Sequence, residues 1–415
     1  MSLDVNISEP DEFNCIELHT CIEEVAKLRG IEEFVYHVDY ACEKGENYIA
    51  NIFRVLIRNE VSKISVIVKT LVNTARQELF HELHKREASV YRQVVTKFKQ
   101  LQECLDEEER LVMPECLYSN MEKLNEVIIL EDMLQKGFVL DIKFAKFENL
   151  EVSQVAAVMS ELAKFHALSF VCKEKDLEYF TKLKSEFHDI QFQNNFLNKS
   201  KLRYYFFESY EMSVKLVTDA EAKKKLDKIK SNVVDILQMF VKPGQHNVLC
   251  HGDCWINNML FNYEENKTTK VCFIDYQTLR YCNPATDIVY FMYLCTDSKF
   301  RSEHFKYLQS VYYESLKSFL LKYNLDVTEL YPLVTFQNDI KHHLPFGLLG
   351  ALVELRIITV PEEYEAILNG PRVEPESDLQ EVPRAVEYLK IKVNDVVQDS
   401  IDNGLLEQLI GLINN

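Results

Sequence analysis

The chain has 415 residues, 47% hydrophobic and 27% charged, a globular composition too long for one ordinary core, since cores stop growing near ~250–300 residues. A formal net charge of -18 argues against nucleic acid as a partner, because binding it depends on Lys and Arg neutralising phosphates. Eleven cysteines run from Cys15 to Cys295 without a C-x-x-C; this fits reduced thiols, and neither a disulfide framework nor a zinc site.

The N-terminus, MSLDVNISEPDEFN, is acidic and polar, so no signal peptide is expected there. No run of about 18 uncharged apolar residues occurs, so no membrane partner is expected; the reduced thiols point to a cytoplasmic location. With ten glycines and neither G-x-G-x-x-G nor G-x-x-x-x-G-K-[ST], a Rossmann or Walker-type nucleotide site is not expected.

In chain order, Leu18, Ile22, Val25 and Leu28 follow helical spacing, with Gly30 where a C-cap belongs. The pattern then changes period. FVYHVDYA and YIANIFRVLIR flank the turn-like CEKGEN, and ISVIVKTLV follows; these predict three strands, the first two a hairpin around Gly45. Residues 76–98 return to helical spacing, and VIILED at 127–132 predicts another strand. Residues 1–134 therefore form a first domain, a small α+β unit. The rest, 135–415, is predicted to be mainly helical, with long helices over 154–170, 206–241 and 301–323. One β patch interrupts it: NVLCHGD, NMLFNY and KVCFIDY. ERLVMPE (109–115) and VEPESDLQEVP (373–383) are expected to be exposed loops.

The segment LCHGDCWINNMLFNYEENKTTKVCFIDYQ, beginning at Leu249, carries the chemistry. Asp253 follows a strand, Asn258 lies five residues later, and Asp275 ends a further strand. Phosphoryl transfer needs a carboxylate to orient the attacking hydroxyl and oxygen ligands to hold magnesium on the phosphates. A loop joining two short strands can hold Asp253 and Asn258 in one site, with Asp275 facing them. Upstream, Lys69 ends an apolar strand where a cation would reach phosphate oxygens. Glu87 on the next helix would pair with it. The CEKGEN turn, with Gly45 and Asn47 tolerant of positive φ, would cover phosphates through backbone N–H groups.

Four segments, GENYIANIFRV, ILEDMLQKGF, LAKFHALSF and HGDCWINNMLF…FIDYQ with NPATDIVYF after it, resemble the ecdysteroid kinase-like (CHK kinase-like) family, relatives of choline kinase and aminoglycoside phosphotransferase. The resemblance implies a bilobal protein-kinase-like α+β fold. A small N-lobe carries an antiparallel sheet, and a larger C-lobe (135–415) carries the catalytic loop, metal site and acceptor pocket. It implies ATP and Mg2+ as cofactors and transfer to a hydroxyl of a small-molecule alcohol. By position, Asp253 is the catalytic base, oriented by His251, while Asn258 and Asp275 are the metal ligands. Lys69 contacts the α/β-phosphates, Glu87 pairs with it, and the backbone near Glu131–Leu134, Met133 included, forms the adenine hinge. Asp287, in P-A-T-D, ties the loop to the following helix. Two departures stand out: Ala50 replaces a frequent Ser, and E-D-M replaces E-D-L at the hinge. Neither removes a catalytic group. A non-catalytic nucleotide or steroid binder, and a kinase of a cationic acceptor such as choline, are the competing readings. Aromatic and aliphatic residues at 290–294, 307–313 and 344–355, with Trp255, are candidates for an apolar acceptor pocket.

Overall fold

The computed structural model describes residues 18–41, 50–71, 77–140, 150–200, 202–264, 267–359 and 381–414. The chain divides into two compact units. One comprises residues 1–97 with 113–139, and the other 98–112 with 140–415. The first is built on an antiparallel sheet and the larger second is mainly helical.

The first unit opens with helix α1 (Leu18–Leu28), ended by Gly30 at φ 67°. Strands β1 (Val35–Tyr40), β2 (Ala50–Arg58) and β3 (Lys63–Leu71) follow. Helix α2 (Gln77–Ser89), β4 (Cys116–Asn120) and β5 (Val127–Glu131) complete it. The sheet order is β1-β2-β3-β5-β4. Strand alternation explains its core. Phe53, Val55 and Ile57 on β2, with Val66 and Val68 on β3, pack on Ile22 and Val25 of α1. Lys69 has the opposite parity to Val66 and Val68, so its side chain leaves from the other face. The helix after α2 relaxes into a π turn over Val90–Val95 before a last α-helical turn, Thr96–Leu101.

Three predicted features change. Strand β4 was not predicted; CLYSN is short and half-buried along its length. ERLVMPE is not an exposed loop, because Leu111 and Met113 are each 3% exposed. Gln102 clamps that stretch, accepting from Leu111 N at 2.7 Å and donating to Leu111 O at 3.4 Å. The expected helix over 206–241 is broken. Its parts are α3 (Leu202–Leu216), α4 (Ala220–Ile229) and α5 (Val233–Phe240), with Asp219 capping α4 through Ala222 N at 2.7 Å. Residues 42–49 and 373–380 lie outside the described residues, so the Gly45/Asn47 turn does too.

In the second unit the central helix Val152–Lys175 meets the length and composition of a membrane span, yet 78% of its apolar window is buried in the protein. Its buried residues include Leu162, Phe165 and Leu168, which makes it a core helix. The β patch consists of β6 (Val248–Cys250), β7 (Met259–Glu264), β8 (Lys267–Phe273) and β9 (Arg280–Cys282). β7 and β8 form a hairpin, and β9, unforeseen in the sequence, pairs antiparallel with β6. Helices α6 (Ala285–Cys295), α7 (Ser298–Leu321), α8 (Leu333–Thr359) and α9 (Glu381–Asp402) follow.

Candidate active site

In the second unit, the loop between β6 and β7 presents Asp253. Three anchors fix it. Asp287, in the first turn of α6, accepts His251 N at 2.6 Å on one oxygen and Gly252 N at 2.9 Å on the other. His166 holds Asp287 in turn, Nε2 to Oδ2 at 3.1 Å, and its Nδ1 meets the Tyr312 hydroxyl at 2.8 Å. The second anchor is Arg280, whose Nη2 donates to Gly252 O at 2.9 Å while Nη1 donates to Gln191 at 2.8 Å. The third is steric. Gly252 has φ 88°, and a Cβ there would lie 2.2 Å from Thr278 O, so only glycine fits.

His251 brackets the loop from the other side. Its Nε2 lies 2.9 Å from Ile274 O, which fixes the proton there and leaves Nδ1 to accept Asp253 N at 3.3 Å. The ring's hydrogen bonds among the described residues go to backbone on both flanks of the site.

The Asp253 carboxylate has two partners. Asn258 Nδ2 donates to Asp253 Oδ2 at 2.9 Å and to its backbone O at 2.9 Å. The Tyr290 hydroxyl donates to Asp253 Oδ1 at 3.0 Å. Burial first, then the neighbouring Asp275 charge, push the Asp253 carboxyl above the usual aspartate range. Asp275 itself is at φ 64°, a left-handed position that Asp tolerates, and accepts from Gln277 at 3.3 Å.

With Nδ2 committed to Asp253, the carbonyl oxygen of Asn258 is the atom left for a ligand. Together with the Asp275 carboxylate it forms an oxygen-only donor set, which suits a hard cation such as Mg2+. A divalent cation would also relieve the Asp275 charge that raises the cost of ionising Asp253. The residues thus fit the metal. Among the described residues a second group has metal-like spacing: His166, Cys250 and Asp287. Its atoms are already occupied, with Cys250 Sγ donating towards Cys282 O and Asn283 O at 3.5 Å each. It is the buried support of the loop.

In the first unit, Lys69 on β3 and Glu87 on α2 form an ion pair, Nζ to Oε2 2.7 Å, with side chains 8% and 1% exposed. Burial and the Lys69 charge push His84 down to about 4, so a neutral imidazole stands beside the pair. In the hinge segment, Asp132 accepts from Arg54 Nε at 2.8 Å, Ser65 Oγ at 2.6 Å and Leu134 N at 3.2 Å. Glu131 pairs with Lys136 at 2.7 Å, and Met133 is buried. These bonds fix the backbone path from β5 into the following turn.

Sequence patterns name Asp253, Asn258 and Asp275, and the structure brings Asp253 into contact with Asn258 and within electrostatic reach of Asp275. Tyr290 and Arg280 were missed as functional groups. Tyr290 was visible only as one of several aromatics, because the partner of its hydroxyl comes from 37 residues away. In the aromatic segment 307–313, Tyr312 and Tyr313 are buried and bonded to His166 and Tyr331 O, so these two are core, while Tyr307 is exposed.

The ecdysteroid kinase-like family model matches residues 44–325, more than half of the chain. The chain belongs to the ecdysteroid kinase-like family. No curated protein matches. Among solved structures, the chain is similar to choline kinase from Cryptosporidium parvum Iowa II, with 15% identity over 95% of this chain and 98% of that one at a TM-score of 0.49. It is also similar to an ethanolamine kinase from Plasmodium vivax (12% identity, 88% and 82% covered, TM-score 0.40). The choline kinase LicA from Streptococcus pneumoniae gives 12% identity, 90% and 98% coverage and a TM-score of 0.39.

Proposed function

We propose that this ecdysteroid kinase-like protein is an ATP- and Mg2+-dependent phosphotransferase whose acceptor is a hydroxyl of a small, mostly apolar alcohol of the ecdysteroid class. The observation that carries the reading is Asp253. It is held on a triply anchored loop, with one carboxylate oxygen on Asn258 and the other on Tyr290. A carboxylate fixed this way is oriented to accept a proton from an attacking hydroxyl.

In this reading Asp253 aligns the acceptor hydroxyl and takes its proton as the new P–O bond forms. Asn258 and Asp275 hold magnesium, which when bound neutralises charge developing on the transferred phosphoryl group. His251 is a positioning residue that keeps the two flanks of the site in register. Lys69, directed by Glu87, binds the α/β-phosphates, and the Glu131–Met133 backbone receives the adenine. Gly45 and Asn47 are proposed to cover the phosphates. The protein is placed in the cytoplasm, in keeping with the free thiols of its described cysteines.

The acceptor class draws support from the family and from the surroundings of Asp253. Tyr290, bonded to Asp253, packs on Phe346 at 6.5 Å, which sets apolar aromatic surface beside the candidate base. Parallel phosphorylation assays with ecdysone, choline and kanamycin at equal concentration test the reading. Magnesium-dependent transfer to ecdysone, with little to the cations, is expected. A clear preference for choline or kanamycin would contradict the acceptor class, and absence of any transfer would favour a non-catalytic binder.

A further inference from the structure

Helix α8 carries two glycines where it meets α6. A Cβ on Gly347 would fall 2.8 Å from the Tyr293 ring, and one on Gly350 3.2 Å from the Tyr290 ring. Contact therefore moves up α8 as it moves down α6, and the helices run antiparallel there. Glu354 lies one turn beyond Gly350 on the same face. It is carried past Tyr290 towards the first turn of α6, where Asp287 anchors the Asp253 loop. The Asp253 charge accordingly acts on Glu354, and Glu354 lies within electrostatic reach of the Tyr290 hydroxyl.

Val353 and Leu355 are each 1% exposed. Glu354 between them keeps partial exposure, as do Asp253 and Tyr290 among their own buried neighbours. All three are thus partly exposed residues of the second unit. Among the described residues the Glu354 carboxyl has no hydrogen bond or ion pair. Arg280 acts on it through its charge alone; the guanidinium Nη atoms donate to Gln191 and Gly252 O, with Asp189 at 3.6 Å. A partly exposed carboxyl with no hydrogen bond among the described residues, within electrostatic reach of a candidate base, can meet a ligand.

We propose that Glu354 is the acceptor-binding residue that selects a neutral polyhydroxyl substrate, its carboxyl hydrogen-bonding a second oxygen of the alcohol whose reacting hydroxyl faces Asp253. This rests on the phosphotransferase reading above. Burial, then the Asp253 charge, push the Glu354 carboxyl up to about 8, so at pH 7 it is mostly the neutral acid. A neutral acid both donates and accepts, which matches a hydroxyl. It also avoids setting a second anion beside Asp253. An ammonium acceptor would instead require the carboxylate form.

Equilibrium binding of ecdysone and of choline to the full chain, by calorimetry with Mg2+ and a non-hydrolysable ATP analogue, tests this. Glu354→Gln keeps a neutral donor and acceptor, and should hold ecdysone within about threefold of wild type. Glu354→Ala should weaken it about tenfold, the worth of one hydrogen bond. In turnover the loss should fall on KM more than on kcat. Glu354→Met, which fills the space without bonding, repeats the alanine test should a cavity disturb α8. Ecdysone binding unchanged in the Ala and Met variants would overturn the proposal, as would a Gln variant as weak as Ala. Wild-type protein that binds no ecdysone, or binds choline more tightly, would overturn it too. A protein that shows the expected binding series but transfers no phosphate would support the role of Glu354 while removing the phosphotransferase reading.

Discussion

Asp287→Asn probes the support of the candidate catalytic loop rather than its chemistry. The wild-type carboxylate accepts three hydrogen bonds: His251 N at 2.6 Å, Gly252 N at 2.9 Å and His166 Nε2 at 3.1 Å. The residue is 1% exposed. Asparagine keeps one acceptor oxygen and turns an NH2 towards a buried backbone N–H. One donor is left unsatisfied, at about 1–3 kcal/mol, and the surviving bonds lose their charge assistance, so a total near ~3 kcal/mol is expected. Burial pushes the Asp287 carboxyl up, but the hydrogen bond from His166, with the nearby histidine charges, brings it below the usual range. A depressed folded-state value means the stabilisation is present above the ordinary aspartate value of about 3.9 and is lost as pH falls through the folded one. The gap between wild type and variant should therefore be full at pH 7 and shrink below about pH 4. Urea unfolding followed by fluorescence of Trp255, the only tryptophan and part of this loop, reports it. A double-mutant cycle with His166→Gln should show coupling of about 0.5–3 kcal/mol. A loss under ~0.5 kcal/mol at pH 7, typical of surface substitutions, would refute the anchoring argument.

Four further outcomes are expected. Asp253→Asn should leave folding and ATP binding largely intact yet cut kcat by ~10²–10⁴-fold, and near-wild-type turnover of the folded variant would remove Asp253 as base. Asp275→Ala should raise the magnesium needed for half-maximal turnover more than Asn258→Ala does, since a carboxylate contributes charge; unchanged magnesium titrations in both would rule out the metal assignment. Lys69→Met and Glu87→Ala should each impair ATP use and destabilise the first unit by about 3–5 kcal/mol through an orphaned buried charge, with non-additive effects in the double variant; simple multiplication of the defects would make them independent. Gly252→Ala should cost stability as well as activity, because both the left-handed φ and the Thr278 carbonyl oppose a Cβ; a variant as stable as wild type would show that the loop relaxes freely.

Much of this was legible in the sequence because the signals are local. β2 and β3 alternate, α1 repeats with helical period and ends on Gly30, and the H-G-D-x4-N spacing sets Asp253 and Asn258 in one loop. What was not legible depends on long-range partners. The 109–115 stretch looks like a charged loop, but Leu111 and Met113 are buried once Gln102 satisfies the Leu111 backbone. The break at Asp219 inside an otherwise periodic 206–241 is a capping event whose strength depends on the neighbouring packing. β9 is three residues long, too short for any period to register. Tyr290 and Glu354 read as one aromatic and one interruption in apolar helices. Only the antiparallel packing through Gly347 and Gly350 places them at Asp253.

The central claim is tested most directly by incubating the purified full chain with γ-labelled ATP, Mg2+ and ecdysone, then resolving the products by chromatography and mass spectrometry. The account predicts label on an ecdysone phosphate in the wild type, its loss when magnesium is chelated, and its loss in Asp253→Asn. Label appearing equally with Asp253→Asn, or no transfer to any alcohol by a folded, ATP-binding wild type, would contradict it.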